Sequence, residues 1–427
     1  MTLAASGRMD NRQLCAILNR MKKDADIVIV GGGLNGPALA LALAQTGFSV
    51  VVVDARPAEA RAQTGFDGRA YALSIASKRL LSMIGVWPQL AAKSQPILQI
   101  KASDGVAGQA PAPFFLTFDH AEIEEGPMGF MVEDRHLYAA FLEAMGKAGV
   151  TLISGDTVTA QSIGAQAEVT LASGRVLRAN LLVGCDGRGS GTATRAGIGR
   201  TGWGYGQTAL VTAIEHAGDH HGIAQQYFMP NGPLAILPLA GGHHSSIVWS
   251  ETAAAAEAIQ ALPDADYLEA LRPRFGDFLG EISLAGARFT YPLSLSLADS
   301  FIAKRLALVG DAAHGVHPIA GQGLNLGLRD VGALAEVIIL AHRRGEDIGA
   351  LDVLERYQRW RRFDATTLAL GMDGVNRLFS NDNPILRAGR DLGLGLVNAV
   401  PALRRSFIRQ AAGLTGEVPR LLQGKAI

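Results

Sequence analysis

The sequence predicts an α/β protein. It combines a Rossmann-like dinucleotide-binding domain on a parallel sheet, an inserted domain of mainly antiparallel β-sheet, and a helical C-terminal tail. Three observations carry this expectation. A strand–turn–helix–strand unit with the pattern G-x-G-x-x-G stands near residue 30. Two more apolar strands, leading into Asp-Gly at 186–187 and Gly-Asp at 310–311, recur far along the chain. Between those two lies a run of short β-like segments separated by turns. One cofactor domain is therefore expected from three distant pieces, 22–83, 128–205 and 298–350. The substrate domain is expected over 84–127 and 206–297, and the helical region over 351–427.

The chain has 427 residues, of which 48% are hydrophobic and 18% charged, a composition that buries a large core and leaves little room for disorder. Lys plus Arg and Asp plus Glu balance at 39 each, so no electrostatic footprint for nucleic acid is present. Cys15 and Cys185 have neither disulfide nor metal spacing, which points to a reducing compartment, the cytoplasm. The first twenty residues lack the apolar core of a signal peptide, and Met21 is a candidate start. Ile27 to Val53 carries no charge and is long enough to cross a bilayer. Gly31 to Gly33, Asn35, Gly36 and Gly47 break any single helix there.

In chain order, Asp26 to Val30 is a β-branched run suited to a strand buried on both faces. Pro37 to Gln45 is an alanine- and leucine-rich helix capped by Gly47. Phe48 to Val53 is a second buried strand, ending in Asp54. Residues 84 to 127 are irregular, and Glu133 to Lys147 is helical. Leu181 to Val183 is a strand; Leu210 to Ile214, Leu234 to Leu239 and Ser246 to Trp249 are strands of the antiparallel sheet; Ala303 to Val309 is one further strand. From Leu351 the chain is helical.

The first motif is Gly31, Gly33 and Gly36. The first glycine permits the tight turn, the second lets backbone approach a pyrophosphate, and the third packs helix on strand. The helix N-terminus offers free N–H groups to phosphate. Asp54, eighteen residues past Gly36, can accept ribose hydroxyls. A second match at Gly197, Gly199 and Gly202 follows no apolar strand, so no second unit for a nicotinamide dinucleotide is expected. The Asp186-Gly187 turn, with Ser190 and Arg195 following, is by itself an ordinary turn. The third motif runs from Leu306 through Gly310 and Asp311 to His314, then from His317 to Gly327. It delivers Asp311 to a ribose or ribityl hydroxyl. It then starts a helix near Leu324 whose N-terminus favours negative charge, with Asn325 able to donate and accept at a ring edge. His314 and His317 lack a third ligand of suitable spacing, so no metal is expected.

The three motifs, in this order and spacing, resemble the class A flavoprotein monooxygenases, the family of 4-hydroxybenzoate hydroxylase. The resemblance implies FAD as cofactor and NAD(P)H as co-substrate. It places the ADP part on Gly31, Gly33, Gly36 and Asp54, both nucleotides at Asp186 and Gly187, and the ribityl chain at Gly310 and Asp311. Arg69, in G-R-A-Y-A-L-S, matches the family's flavin-region arginine. Arg135, in E-D-R-H-L, matches the arginine opening a helix near the adenosine. Asn35, Gly323, Leu324 and Asn325 complete the cofactor set, and Pro318, Gly321 and Gln322 are the flavin-face candidates. The stretch H-P-I-A-G-Q-G-L-N-L-G-L-R-D from His317 to Asp330 is similar to the signature of the ubiquinone-biosynthesis hydroxylases, the UbiH/UbiF/VisC group. Gly232 to Leu239 and Met372 to Ser380 fit the same group, and the resemblance covers nearly everything after Asp24. His314 varies among such proteins.

The implied reaction uses NAD(P)H to reduce FAD and then inserts one atom of O2 into a polyprenylated phenol. The alternatives are a hydroxylase of a small soluble aromatic acid, marked by a guanidinium placed for its carboxylate, and a flavin reductase or scaffold without oxygen insertion. Phe228, Leu234, Ile236, Leu237 and Trp249 are either a pocket wall or sheet core. No residue is singled out as the base that deprotonates a phenol. After Pro401, Leu403, Phe407, Ala411 and Leu414 recur at helical spacing with Arg404, Arg405 and Arg409 off the stripe. Such a stripe packs on its own core or lies on a membrane surface, at the inner membrane, or against a biosynthetic complex.

Overall fold

A computed structural model of the chain describes residues 23–61, 65–105, 108, 115–317, 321–380 and 397–427. The leader, with Cys15 and Met21, and the flavin-face candidate Pro318 lie outside the described residues. Ala25–Val30 is the centre of a sheet that runs Ile302–Ala303, Leu306–Leu308, Val176–Gly184, Ala25–Val30, Val50–Asp54, Thr151–Ser154. Along this path all neighbours are parallel except the first pair, and Ala167–Leu171 and Val158–Ile163 add an antiparallel extension to Val176–Gly184. Strands buried on both faces need continuous apolar sequence, and Ala25–Val30 and Val50–Asp54 have it. The helix between them, Asn35–Ala44, has no charged residue and is buried from Gly36 to Leu43. It is enclosed because it packs both on the sheet and on the long helix Gln322–Arg343.

The sequence expectation of one strand over Ala303 to Val309 is corrected. Ile302–Ala303 and Leu306–Leu308 form a tight antiparallel hairpin instead. Arg305 takes φ +54 at its turn, and its guanidinium donates to the Asn180 carbonyl at 2.9 Å and pairs with Asp347. Those tertiary partners hold a residue in a backbone region its side chain disfavours. The stretch expected to be irregular, 84–127, is corrected too: it holds Gln95–Ile97, Gln99–Asp104 and Phe115–Asp119, short strands hidden by prolines and glycines between them.

The second sheet runs His314–Gly315, Phe289–Ala298, Arg200–His216, His244–Thr252, Gly232–Pro238, Ile223–Met229, Gln99–Asp104, Phe115–Asp119. It is antiparallel except where Ile223–Met229 pairs in parallel with Gln99–Asp104. That one pairing merges the two separate inserts into a single sheet. Arg200–His216 crosses the expected boundary at 205–206 without a break. His314–Gly315 brings the third motif onto the sheet's edge. A small sheet, Ala70–Ser74, Gly129–Glu133 and Gln95–Ile97, bridges the two large ones.

Period-two alternation gives the second sheet two chemically distinct jobs. Leu234, Ile236 and Trp249 face Tyr267, Leu271 and Phe275, in a core covered by the helices Ala253–Gln260 and Asp264–Phe275. Residues one position away, such as Ala235, Leu237 and Val248, face the other side and line a cavity.

The third motif is anchored from behind by Asp330, which is fully buried. Its carboxylate accepts the Gly310 N–H at 3.0 Å, lies 2.6 Å from His314 Nε2, and accepts Arg361 Nε–H at 2.8 Å. Burial pushes its pKa up, but His314 and Arg361 more than offset this and hold the carboxyl below its ordinary range. Arg361, also fully buried, pairs with Asp364 as well. Asp330→Ala strips the buried Arg361 of its main partner and should destabilise the fold by about 3–5 kcal/mol. Urea unfolding measures this, and a loss below about 1 kcal/mol contradicts it.

Candidate functional site

The site is built from the turns that leave the strand ends. Gly31 has φ +111, and a Cβ there would lie 2.2 Å from the Cys185 carbonyl oxygen. At Gly36 a Cβ would lie 2.0 Å from the Gly31 carbonyl oxygen. Both positions need glycine for packing alone. A Cβ at Gly33 meets nothing within 4 Å, and Gly33 borders the cavity. The second glycine is thus open towards a ligand while the first and third close the turn on itself.

Asp54 ends its strand with the carboxylate against Gly32. Its Oδ1 accepts the Arg56 N–H at 3.2 Å. Its Oδ2 lies 3.1 Å from Arg61 Nε yet has no hydrogen bond, although it is buried. A buried carboxylate oxygen lacking a donor fits a hydroxyl-bearing ligand. Asn35 wedges into the space where Gly310 and Gly327 lack a Cβ: its Nδ2 would lie 2.3 Å from a Cβ at either. Its buried Oδ1 has no hydrogen-bond partner among the described residues.

Asp186 turns inwards, accepting from Ser190 Oγ at 2.5 Å, Thr192 N at 2.9 Å and Thr192 Oγ1 at 2.9 Å. It holds the start of the short helix Gly191–Arg195, while Gly187, with φ +82, borders the cavity. Next to it stands Arg188, which sequence reasoning passed over. Its Nε donates to Asp311 Oδ2 at 3.2 Å and its Nη2 to the Val316 carbonyl at 3.0 Å. Only its position after the Asp-Gly turn signals it. Asp311 itself sits on the turn Gly310–Ala312, half exposed towards the cavity. Arg200 steadies that turn, donating to the carbonyls of Asp311 and Ala312.

Gln322–Arg343 begins after Gly321, whose left-handed φ of +62 turns the chain into the helix. Among the described residues no side chain caps this end, and Gly321 to Asn325 line the cavity. An uncapped N-terminus facing a cavity favours an anionic group. The Asn325 amide, expected at a ring edge, is engaged locally. It accepts from Ser74 N–H and Ser77 Oγ–H and donates to the carbonyls of Ala72 and Gly321. It thereby clamps Ala70–Ser74 to the helix end.

Arg69 and Arg135 do not reach the cavity wall. Arg69 pairs with Asp67 at 2.7 Å and Asp134 at 3.4 Å, and lies over Phe289. Arg135 pairs with Glu133 at 2.6 Å and lies over Phe66. His317 is buried with no hydrogen bond to either ring nitrogen among the described residues, edge-on to Tyr205 at a centroid distance of 5.2 Å. Burial, reinforced by Arg188, pushes its pKa down to about 4, so the imidazole is neutral at pH 7. Among the described residues no three His, Cys, Asp or Glu side chains gather to hold a metal ion.

The cavity measures about 1130 Å³. One end is made by Gly33, Asn35, Gly187, Arg188, Asp311 and Gly321 to Asn325. The other end is an apolar arm along the second sheet, with Ile100, Phe118, Met128, Phe228 and Leu237 among its walls. Of the five side chains weighed in sequence, Phe228 and Leu237 line it, whereas Leu234, Ile236 and Trp249 are sheet core. A single small ligand typically occupies roughly 300–1,000 Å³, so this space suits part of a dinucleotide plus an apolar molecule.

The FAD binding domain family matches residues 24–369. The chain is 46% identical to the ubiquinone hydroxylase UbiL of Rhodospirillum rubrum, over 94% of this chain and 93% of that one. It is 37% identical to the 3-demethoxyubiquinol 3-hydroxylase of Escherichia coli, over 91% of this chain and 98% of the relative. The fold superposes on the crystal structure of p-nitrophenol 4-monooxygenase from Pseudomonas putida with a TM-score of 0.76. That match has 20% identity and covers 93% of this chain and 100% of the other.

Gly33 and Gly36 separate ligand binding from packing. Gly33→Ala should leave the melting temperature of the FAD-free protein unchanged and lose FAD affinity by tenfold or more, at about 1.4 kcal/mol per tenfold. Gly36→Ala should lower the melting temperature as well. Flavin absorbance after gel filtration, with thermal unfolding, checks both; full FAD retention in Gly33→Ala would contradict the reading.

Proposed function

The chain belongs to the class A FAD-dependent monooxygenases and, within them, to the ubiquinone hydroxylases, and from that premise we propose that it inserts one oxygen atom from O2 into a polyprenylated phenol of ubiquinone biosynthesis. When bound, FAD reduced by NAD(P)H supplies the oxygen-activating chemistry. The residues of this chain bind, orient and exclude water. We assign the pyrophosphate to the open face of Gly33, behind which Gly31 and Gly36 close the turn, and ribose hydroxyls to the undonated Oδ2 of Asp54. Asp311, held by Arg188, would accept hydroxyls of the ribityl chain. The uncapped end of Gln322–Arg343 stabilises negative charge on the reduced ring. On this reading the cofactor lies on 22–83, 128–205 and 298–350, and the phenol on 84–127 and 206–297.

The observation that carries the substrate class is the apolar arm. Among the described residues that line the cavity the only cation is Arg188, and it is bound to Asp311 and the Val316 carbonyl at the cofactor end. A small aromatic acid would bury its carboxylate in the arm without a guanidinium, which is costly. An uncharged phenol with an isoprenoid tail meets no such penalty and gains roughly 25 cal/mol for each Å² of apolar surface it buries.

The arm's mouth also supports contact with a membrane surface, where such a substrate resides. Val375, Leu378 and Phe407 line the cavity and still face solvent, Phe407 being 51% exposed. Phe407 lies on the helix Pro401–Ala411, whose buried residue is Ile408, one position off the stripe expected from sequence; Leu403 is exposed and Leu414 falls beyond the helix. No helix among the described residues is long and apolar enough to cross a membrane.

Two measurements test these proposals. Purified, FAD-loaded protein should consume NAD(P)H faster with a short-chain prenylated phenol, and mass spectrometry should find the hydroxylated product. Stimulation by 4-hydroxybenzoate alone would instead establish the aromatic-acid reading. In liposome flotation, the wild type should float with anionic vesicles and Leu403→Ser with Phe407→Ser should cut that fraction several-fold. Equal flotation of both proteins, or none, would rule out this surface.

A further inference from the structure

One polar side chain stands in the middle of the apolar arm. Across the second sheet a single row of paired residues faces the cavity: Leu116 opposite Ala102, Ala102 beside Gln226, Gln226 opposite Ala235, and Ala235 opposite Val248. The next row, Phe118, Ile100 and Ala224, is apolar throughout. Gln226 therefore interrupts a row that is otherwise hydrocarbon. Its neighbour Gln225 also borders the cavity, but its Oε1 is bound by the Tyr227 hydroxyl.

Gln226 is only lightly engaged with the protein. Its one hydrogen bond among the described residues runs from Nε2 to the Leu234 carbonyl, at a long 3.3 Å. Oε1 and the second N–H are left for whatever enters the arm. An amide both donates and accepts, so it matches a ring hydroxyl through Oε1 and a ring ether oxygen through Nε2. It carries no charge, so it does not select a carboxylate. Apolar pockets set ligand orientation with few polar groups of this kind. A site whose polar group is left unpaired by the wrong ligand discriminates strongly against it.

We infer that Gln226 is a positioning residue for the substrate ring: its side-chain amide hydrogen-bonds an oxygen substituent of the phenol and so decides which ring carbon is presented to the cofactor end. This rests on the function proposed above and deepens it, since it names the group in the arm that reads the ring rather than the tail.

The test compares two probes at equilibrium with FAD-loaded protein: a short-chain prenylated methoxyphenol, and the matching prenylbenzene without ring oxygens. Binding is read from the perturbation of the bound flavin's absorbance, without turnover. The wild type should prefer the methoxyphenol by up to about tenfold, the range of one hydrogen bond. Gln226→Met keeps length and loses the amide, and Gln226→Leu is a second variant in case the first misfolds. Bound FAD and the melting temperature report folding. In either variant the preference should fall to about one, through weaker binding of the methoxyphenol alone. An unchanged preference in a folded variant overturns the inference, and so does an equal loss for both probes, which marks a packing role. If the wild type binds both probes with the expected preference yet hydroxylates neither, the proposed reaction fails while the role of Gln226 in recognition stands. If the wild type binds neither, both fail.

Discussion

The buried carboxylate of Asp330 is the point on which the site hangs. It is removed from water and survives there as an anion because three donors converge on it: the Gly310 N–H, His314 and Arg361. Each donor belongs to a different piece of structure. Gly310 opens the turn that carries Asp311, His314 starts the strand that joins the second sheet, and Arg361 lies on the helix Leu351–Phe379. Asp330 itself lies on Gln322–Arg343, whose free N-terminus faces the cavity. One buried charge thus locks the third motif, both long helices and the edge of the second sheet in register. Buried ion pairs are a weak source of net stability, but removing one partner is severe, which makes such a node suited to fixing geometry.

A second constraint comes from backbones that approach too closely for any side chain. Gly31 against the Cys185 carbonyl joins the first motif to the Asp-Gly strand, and Asn35 against Gly310 and Gly327 joins it to the third. Three segments far apart in sequence meet at these contacts. The end of the cavity that we propose for the cofactor is what remains open once they are packed, lined by the turns themselves together with Asn35 and Arg188. Preorganisation of that kind lets the chain bind a dinucleotide with few charged side chains.

The arm follows from sheet geometry. Alternate residues of Gly232–Pro238 and Ile223–Met229 point to opposite faces, so a single strand supplies both a core and a cavity wall. The core face is covered by its own helices, while the other face is left apolar and open. That pairing of an apolar wall with one lightly bonded amide gives a ring a way to be recognised and a tail a way to be accommodated.

The amino-acid sequence by itself determined the class of fold, the three turns at the strand ends and the family. These depend on local patterns: β-branched runs buried on both faces, glycines where a turn admits no Cβ, acidic residues at strand ends. Their signal survives because each is enforced by chemistry within a few residues. Only the tertiary structure decided the rest. It split Phe228 and Leu237 from Leu234, Ile236 and Trp249, because the register of neighbouring strands chooses which face is covered. It turned Asp186 and the Asn325 amide to partners within the protein, set Arg188 on Asp311, and left Gln226 lightly bonded in an apolar row. It broke the expected strand at Arg305 and put Ile408, not Phe407, into the core. For Asn325 and Arg188 the deciding partners lie far away in the chain, and throughout a side chain's role is set by what packing leaves beside it, which no local pattern records.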